Sequence, residues 1–156
     1  MRILVLNGPN LNMLGRRNSA VYGTTTLLEL NAMLEAEAVK LEMQVEFLQS
    51  NDAEFLIETF HKAKENWDGI VLNAGGLTHY AWDLRDAVEI ARDLGVPTIE
   101  VHLSNIHARE SFRHISVFSS APAVVIDQIC GMGTEGYLVA FRKLTEYVNN
   151  ARFGSD

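Results

Sequence analysis

Cysteine is almost absent from the sequence. Cys130 is the single cysteine among 156 residues. No disulfide can therefore form within the chain, and a metal site built on several thiolates is not expected. Cys130 lies in an apolar run, which predicts a small core side chain rather than a reactive thiol.

Positive charge and long apolar runs are also scarce. The net charge is -7 at pH 7, which gives no reason to expect nucleic acid or an anionic membrane surface as a partner. No apolar stretch is long enough to span a bilayer, and the chain starts without the apolar segment of a signal peptide. We therefore expect a cytoplasmic protein.

Short apolar runs alternate with helical patterns throughout the sequence. The runs that predict strands are 3–6, 44–49, 70–72, 98–103 and 124–130. Apolar residues recur at helical spacing between them, and a last helix is predicted over 134–149. This alternation predicts an α/β fold, a flavodoxin-like five-stranded parallel sheet in the order 2-1-3-4-5 with helices on both faces. We expect one domain over 1–150 and a frayed polar tail over 151–156.

Capping residues mark the starts of three predicted helices. Thr26 and Glu29 have the spacing of a capping box, in which each side chain bonds the backbone N–H of the other residue. Asn51, with Glu54 three residues later, is predicted to cap the next helix. Thr78 is predicted to cap the helix after that.

The strand over 98–103 carries polar groups that a buried strand usually lacks. Glu100, His102 and Ser104 fall on one face because side chains alternate along a strand. A carboxylate beside an imidazole can fix its tautomer and raise its basicity. Parallel strands end at a common edge, where Asn10 and Asn73 also follow strands, so a ligand crevice is predicted there. A purely structural histidine–glutamate pair remains an open alternative.

The segment from Leu11 to Thr25 shows no periodicity and is unusually long for a connection between a strand and a helix. We interpret it as a mobile lid. Tyr22 is a candidate base within it, since a guanidinium such as that of Arg17 favours a phenolate. An anchoring role for Tyr22 remains open. Arg109 is predicted to have only a surface role.

Several other kinds of catalytic site find no support in the sequence. We see no nucleophile elbow, no reactive cysteine setting and no lysine in an apolar run. The histidines at 79, 102, 107 and 114 are scattered, without the spacing of metal ligands. We therefore predict neither a metal nor a cofactor. A tyrosine base with a histidine acid suits proton abstraction beside a carbonyl, followed by loss of a leaving group.

Five short motifs occur together in a characteristic order. They are Asn7-Gly8-Pro9-Asn10-Leu11, Leu14-Gly15-Arg16-Arg17 with Tyr22-Gly23, Asn73-Ala74-Gly75-Gly76-Leu77-Thr78-His79, Glu100-Val101-His102-Leu103-Ser104-Asn105 with His107-Ala108-Arg109-Glu110, and Gly136-Tyr137. In this combination the sequence resembles the type II 3-dehydroquinate dehydratases over nearly its whole length. Leu103 stands where many members have isoleucine.

The resemblance implies a reaction and a role for each matching residue. The family dehydrates 3-dehydroquinate to 3-dehydroshikimate in the shikimate pathway, by anti elimination through an enolate. Tyr22 would then remove the proton alpha to the ketone, and Arg17 would hold Tyr22 in its phenolate form. Asn10 would help to stabilise the enolate, His102 would protonate the departing hydroxyl, and Glu100 would orient His102.

The resemblance also implies the substrate contacts and the assembly. Asn73, His79 and Arg113 would hold substrate hydroxyls, and Ser104 with the backbone of Leu103 would bind the carboxylate. Asp86 matches a residue that the family supplies from a neighbouring subunit. The family forms homo-dodecamers, as tetramers of trimers, and Trp82 or Phe118 could be exposed at an interface.

Two other interpretations compete with this one. The first is a flavodoxin-like binding or signalling module. A signalling receiver would need an aspartate where Asn73 stands, and a flavodoxin would need hydroxyl groups in the loop after the first strand. A family member that has lost catalysis could survive as a silent assembly. Arg17, Tyr22 and His102 are all present, which argues against that second alternative.

Overall fold

The computed structural model describes residues 1–154, whose strands form one five-stranded parallel sheet in the order β2-β1-β3-β4-β5. The strands are β1 (Arg2–Asn7), β2 (Gln44–Gln49), β3 (Gly69–Asn73), β4 (Thr98–His102) and β5 (Asp127–Cys130). All neighbouring pairs run parallel, with Ile3 opposite both Val45 and Gly69. The predicted fold class and strand order are confirmed.

Helices connect the strands and cover the sheet. The α-helices are α1 (Ser19–Tyr22), α2 (Leu27–Lys40), α3 (Ala53–His61), α4 (Ala63–Asn66), α5 (Trp82–Asp93) and α6 (Glu135–Phe153). Within residues 1–154, none of the helices is both long and apolar enough to cross a membrane.

Alternate side chains of the interior strand β1 enter two separate hydrophobic cores. Ile3 and Val5 of β1 pack in the core that includes residues of α2 and α6, among them Leu34 and Phe141. Leu4 and Leu6 pack in the core that includes residues of α3 and α5, among them Phe60 and Leu84. Because both faces are covered, β1 is apolar without alternation, as expected for an interior parallel strand.

The capping box of α2 is present as predicted. The Thr26 Oγ1 accepts from the Glu29 N–H at 3.2 Å, and the Glu29 carboxylate accepts from the Thr26 N–H at 2.9 Å. Both bonds satisfy backbone donors that the first turn of a helix leaves unpaired. The start of α2 is therefore fixed by local sequence.

The other two capping predictions are wrong. Asp52, not Asn51, caps α3, with its Oδ1 accepting from the Glu54 N–H at 3.0 Å. Asn51 instead accepts from the backbone N–H of Asn10 at 3.0 Å, which ties the end of β2 to the loop after β1. Thr78 lies inside a 3-10 helix over Gly75–His79, and Ala81, without a side-chain cap, precedes α5.

The last strand and the last helix differ in length from the prediction. The strand predicted over 124–130 is confined to Asp127–Cys130, because its pairing with β4 begins with Ile99 opposite Asp127. The helix α6 continues to Phe153, so the tail predicted from Ala151 begins as helix. An ion pair between Arg152 and Asp68 ties this last turn to the start of β3. Residues 155 and 156 of the predicted tail lie outside the described residues.

Candidate active site

The carboxyl ends of three neighbouring strands meet at one cavity. Asn7 at the end of β1 pairs with Asn73 at the end of β3, and Leu72 pairs with Glu100 on β4. A cavity of about 160 Å³ lies at this edge. Its lining is Pro9, Asn10, Leu11, Arg17, Tyr22, Asn73, Gly75, Gly76, His79, His102, Leu103, Ser104, Ile106, Arg109 and Arg113. Most of the predicted site residues are thus brought together, while Glu100 and Asp86 do not line the cavity.

The loops after β1 and β3 touch through their backbones at the edge of this cavity. A Cβ on Gly8 would lie 2.8 Å from the Ala74 carbonyl oxygen. A Cβ on Gly75, whose φ is +58°, would lie 2.7 Å from the Pro9 carbonyl oxygen. Side chains at these positions would force the loops apart, so glycine is required for the close approach.

An imidazole and a buried carboxylate form one wall of the site. The His102 Nε2 lies 2.8 Å from the Glu100 Oε1, and Glu100 is fully buried. A carboxylate can only accept, so Nε2 carries the proton in this pair and Nδ1 remains available to a ligand. Ser116 also donates to Oε1 at 2.6 Å, and Gln128 donates to Oε2 at 3.0 Å. The carboxylate on the predicted strand face is therefore held by three donors.

Two guanidinium groups converge on the phenol of Tyr22. The Nη2 of Arg17 donates to the Tyr22 hydroxyl at 3.1 Å, and its guanidinium carbon lies 3.9 Å from the ring centroid. The Nη2 of Arg109 donates to the same oxygen at 2.9 Å, and its Nη1 donates to the Ser104 hydroxyl at 3.0 Å. The prediction that Arg109 has only a surface role is wrong. Two positively charged groups therefore lie within hydrogen-bond distance of one phenolic oxygen.

Sequence reasoning missed Arg109 because its partner Tyr22 lies 87 residues away along the chain. The connection between them depends on how the chain turns after β4. There a 3-10 helix over Ile106–Ala108, capped by the Asn105 side chain, returns the chain toward the cavity. The available sequence clue was the position of Arg109 five residues after Ser104, close to a strand end.

The segment predicted as an irregular lid contains two short helices. A 3-10 helix spans Leu11–Met13, and α1 follows with Asn18 as its cap. Each is too short to produce a visible periodicity. Leu11 and Leu14 are buried and anchor the segment, whereas Tyr22 at the end of α1 is half-buried. Movement of this segment stays a prediction.

Asn73 is oriented by a buried tyrosine that sequence reasoning assigned no role. The Tyr137 hydroxyl donates to the Asn7 Oδ1 at 2.6 Å and accepts from the Asn73 Nδ2 at 2.7 Å. The Asn73 Oδ1 accepts from the Gly75 N–H at 3.1 Å. Burial raises the pKa of Tyr137 far above its ordinary value, so its hydroxyl keeps its proton. The hydroxyl therefore donates to Asn7 and accepts from Asn73, which fixes the orientation of the Asn73 amide.

His79 is held as a neutral imidazole with a defined tautomer. Its Nδ1 lies 2.7 Å from the carbonyl oxygen of Ile115, which can only accept, so Nδ1 carries the proton. Burial lowers the pKa of His79, and the nearby His102 and Arg113 also lower it, although the bond to Ile115 opposes the shift. Its Nε2 is therefore an acceptor near neutral pH.

The two remaining predicted contacts differ in their placement. Arg113 lines the cavity and donates from Nε to the Glu110 carboxylate at 2.7 Å. Asp86 lies on α5 with its side chain 72% exposed, and its carboxylate is 3.8 Å from Arg85. Trp82 is also exposed, as predicted, but Phe118 is fully buried, so its predicted exposure is wrong.

Cys130 is half-buried rather than a full core residue, and burial raises its pKa to about 11, which keeps it as a thiol at neutral pH. No group of three His, Cys, Asp or Glu side chains that could hold a metal ion occurs in the described part of the chain.

Comparison with known proteins gives a consistent result. The sequence model of the family described as Dehydroquinase class II matches residues 1–145. The chain is 47% identical over 152 residues to a 3-dehydroquinate dehydratase of Desulforudis audaxviator, covering 97% of both proteins. It is 52% identical over 138 residues to a 3-dehydroquinate dehydratase of Bacillus licheniformis, covering 88% of this chain and 91% of the relative.

Solved structures agree with the sequence matches. The crystal structure of a type II dehydroquinase from Butyrivibrio crossotus superposes with a TM-score of 0.87 at 42% identity, covering 93% of this chain and 97% of the other. The crystal structure of a type II dehydroquinase from Propionibacterium acnes superposes with a TM-score of 0.83 at 40% identity, covering 95% and 96%. Sequence and fold agree over nearly the whole length, and the chain belongs to the class II dehydroquinase family.

Proposed function

We propose that this protein is a hydro-lyase that dehydrates 3-dehydroquinate to 3-dehydroshikimate, a step of the shikimate pathway. One observation carries the proposal. The phenol of Tyr22, contacted by two guanidinium groups, lines the same cavity as the imidazole of His102, which is held by a carboxylate. These are the base and the acid that an elimination beside a carbonyl requires.

Tyr22 begins the proposed reaction as a phenolate. It removes the proton alpha to the ketone, and the electron pair of the broken C–H bond moves into the carbonyl to give an enolate. Arg17 and Arg109 donate hydrogen bonds to the phenolic oxygen and place two positive charges beside it in the proposed complex. Asn10, at the cavity, helps to stabilise the enolate oxygen through a water molecule. Fixed donors of this kind typically contribute about 3 kcal/mol to lowering a barrier.

His102 completes the elimination as the acid. The enolate re-forms its carbonyl, and the C–O bond to the departing hydroxyl breaks. The Nδ1–H of the His102 imidazolium supplies the proton that converts this hydroxyl to water, while the Nε2 proton stays on the bond to Glu100. The Glu100 carboxylate 2.8 Å from Nε2 orients the ring and stabilises the imidazolium. General acid and general base each typically contribute a factor of about a hundred to ten thousand.

The remaining cavity residues hold the substrate in the proposed complex. Asn73, His79 and Arg113 bind its hydroxyls. Ser104 and the backbone of Leu103 bind its carboxylate. The bond from Arg109 to the Ser104 hydroxyl adds a positive charge beside that carboxylate.

The protein acts in this proposal as a homo-dodecamer, a tetramer of trimers. Asp86 is exposed on α5 and would meet the cavity of a neighbouring copy. Tyr80 and Trp82 are also exposed beside it, which suits an interface rich in aromatic residues. We further propose that residues 1–150 act as one catalytic domain, because both hydrophobic cores share the same sheet. A cytoplasmic location stays a prediction.

The ultraviolet absorbance of a mixture of chelator-treated protein and 3-dehydroquinate tests the function. We expect a rising band from the conjugated enone carboxylate of the product. The silent-assembly alternative is not favoured, because Arg17, Tyr22 and His102 all lie at the cavity. No rise from folded and assembled protein would refute the proposed function and support that alternative.

Substrate binding is expected to weaken in acid because His79 must stay neutral. Protonation removes the lone pair of Nε2, so KM should stay constant as the pH falls through 6.5 and should rise only below the lowered pKa of His79. The folded chain binds this proton less tightly than the unfolded chain, so the same protonation also reduces stability from pH 6.5 downward. NMR titration of the His79 ring alongside KM measures both. A ring that titrates at or above 6.5 would contradict the prediction.

A further inference from the structure

A hydrogen-bonded chain extends from His102 to the protein surface. It runs from the His102 Nε2 to Glu100, from Glu100 to Gln128 at 3.0 Å, and from Gln128 to His107 at 2.9 Å. His102 and Glu100 lie on β4, Gln128 lies opposite Glu100 on β5, and His107 lies in the 3-10 helix that follows β4. The chain beyond Glu100 has no part in the steps proposed above.

The two oxygens of Glu100 are held by different elements. Oε1 accepts from His102 and from the Ser116 hydroxyl, whereas Oε2 accepts from the side-chain amide of Gln128. The terminal torsion of a glutamate is broad and weakly restrained. The donor at Oε2 therefore fixes the plane of the carboxylate, and with it the position of Oε1 opposite His102.

Gln128 is itself held in one orientation. Its Nε2 donates to Glu100 and, at 3.0 Å, to the Ser119 hydroxyl, while its Oε1 faces the Nε2 of His107. A flipped amide would set its carbonyl oxygen against the Glu100 carboxylate and lose that bond, so the carboxylate sets the orientation of the amide. The exposed ring of His107, in the tautomer that carries the proton on Nε2, then donates to Oε1 and adds a second bond that holds the amide in place.

Ser116 is oriented in a similar way. Its oxygen accepts from the backbone N–H groups of Phe118 and Ser119 at 3.2 Å each. With both acceptor positions used, the hydroxyl proton points at Glu100, and Ser116 is buried. Both neutral donors to Glu100 are thereby supported by further hydrogen bonds.

We propose that Gln128, supported by His107, is a positioning residue for the acid step and acts through Glu100 on His102. This inference rests on the proposed function and adds that its acid step depends on Gln128. Loss of the donor at Oε2 lets the carboxylate turn, so His102 is misplaced relative to the leaving hydroxyl. The proton abstraction by Tyr22 does not depend on this carboxylate. The proposal therefore predicts a defect in one step only.

The variant Gln128→Met tests the inference because methionine keeps the length of the side chain and removes the amide. We expect kcat for dehydration to fall about tenfold to a hundredfold, the size of effect that follows a misplaced reacting group. We expect KM and the rate of alpha-proton exchange of 3-dehydroquinate in D₂O to remain at wild-type values. Gln44→Met makes the same change at an exposed position of the other edge strand, and it should leave all three quantities unchanged.

The variant His107→Leu removes the ring that bonds the Gln128 amide and leaves every residue of the sheet unchanged. Because His107 is exposed, this variant should fold even if Gln128→Met does not, and it should slow dehydration in the same selective way but by less. Wild-type kcat in both variants would overturn the inference, and so would an equal loss of exchange and dehydration. Absence of dehydration by the wild-type protein would instead refute the proposed function itself, so the two failures are distinguishable.

Discussion

Turnover of 3-dehydroquinate is expected to fall by a factor of about a hundred to ten thousand in Tyr22→Phe, because the change removes the proposed base. Ligand binding should persist, since phenylalanine keeps the ring over which the Arg17 guanidinium lies. The fold should also persist, because Tyr22 is only half-buried and its hydroxyl bonds only the two arginines within the described residues. The initial rate of enone absorbance measures turnover, and calorimetry measures binding of the substrate to the inactive variant.

A second tyrosine provides the control for this experiment. Tyr147 is half-exposed on α6 and does not line the cavity, so Tyr147→Phe should keep wild-type turnover. If Tyr22→Phe also kept near-normal turnover, Tyr22 could not be the base. Its contacts with Arg17 and Arg109 would then serve to anchor the segment, which is the alternative that the sequence left open.

His102→Ala is expected to block dehydration while some exchange of the alpha proton remains. The acid acts after the enolate has formed, so removal of the imidazole should lower kcat by a factor of about a hundred to ten thousand and leave the first step in operation. NMR of 3-dehydroquinate in D₂O reports the exchange, and enone absorbance reports the elimination.

Stability must be measured together with these two rates. His102→Ala removes one of three donors from the buried carboxylate of Glu100, and a hydrogen bond to a charged group contributes about 1.5–3 kcal/mol to the free energy of unfolding. His61→Ala changes an exposed histidine on α3 and should alter neither rate. Equal losses of exchange and elimination in His102→Ala would contradict the two-step assignment.

The fold was predictable where local sequence determines the structure. Buried strands such as β1 and β3 are continuous apolar runs because helices cover both of their faces. The Thr26 capping box was predictable because both partners lie within one turn. These features need no knowledge of distant residues, and the strand order follows from general rules for crossover connections.

The errors concern side chains whose partners lie far away in the sequence. Asn51 has the residue type of a helix cap, but it bonds the backbone of Asn10 across the sheet edge. Arg109 was assigned to the surface, although it bonds a tyrosine on another loop. Thr78 was assigned to a cap, but the chain there forms a 3-10 helix that packs its side chain inside. Tertiary contact decided each case, and no local pattern encodes it.

The site was predictable in its chemistry but not in its supporting bonds. Glu100 and His102 could be paired from strand alternation alone. The positioning roles of Tyr137 and Gln128 could not be predicted, because the patterns around them are typical of an ordinary buried helix and an ordinary edge strand. Their hydroxyl and amide groups matter only through the buried residues that they orient.

The interior position of β1, between β2 and β3, has a consequence for folding. A ribosome makes β1 before the other strands, yet β1 needs β3 beside it, and Ile3 pairs with Gly69. Pairing over such separations favours slow folding, because a long loop must close before the contact forms. The bond between Glu100 and Gln128 further joins two strands that emerge later still. One face of β1 also packs in the core that contains residues of α6, the last helix. The nascent chain therefore completes both the burial of β1 and the network behind His102 only when nearly all of the sequence has been synthesised.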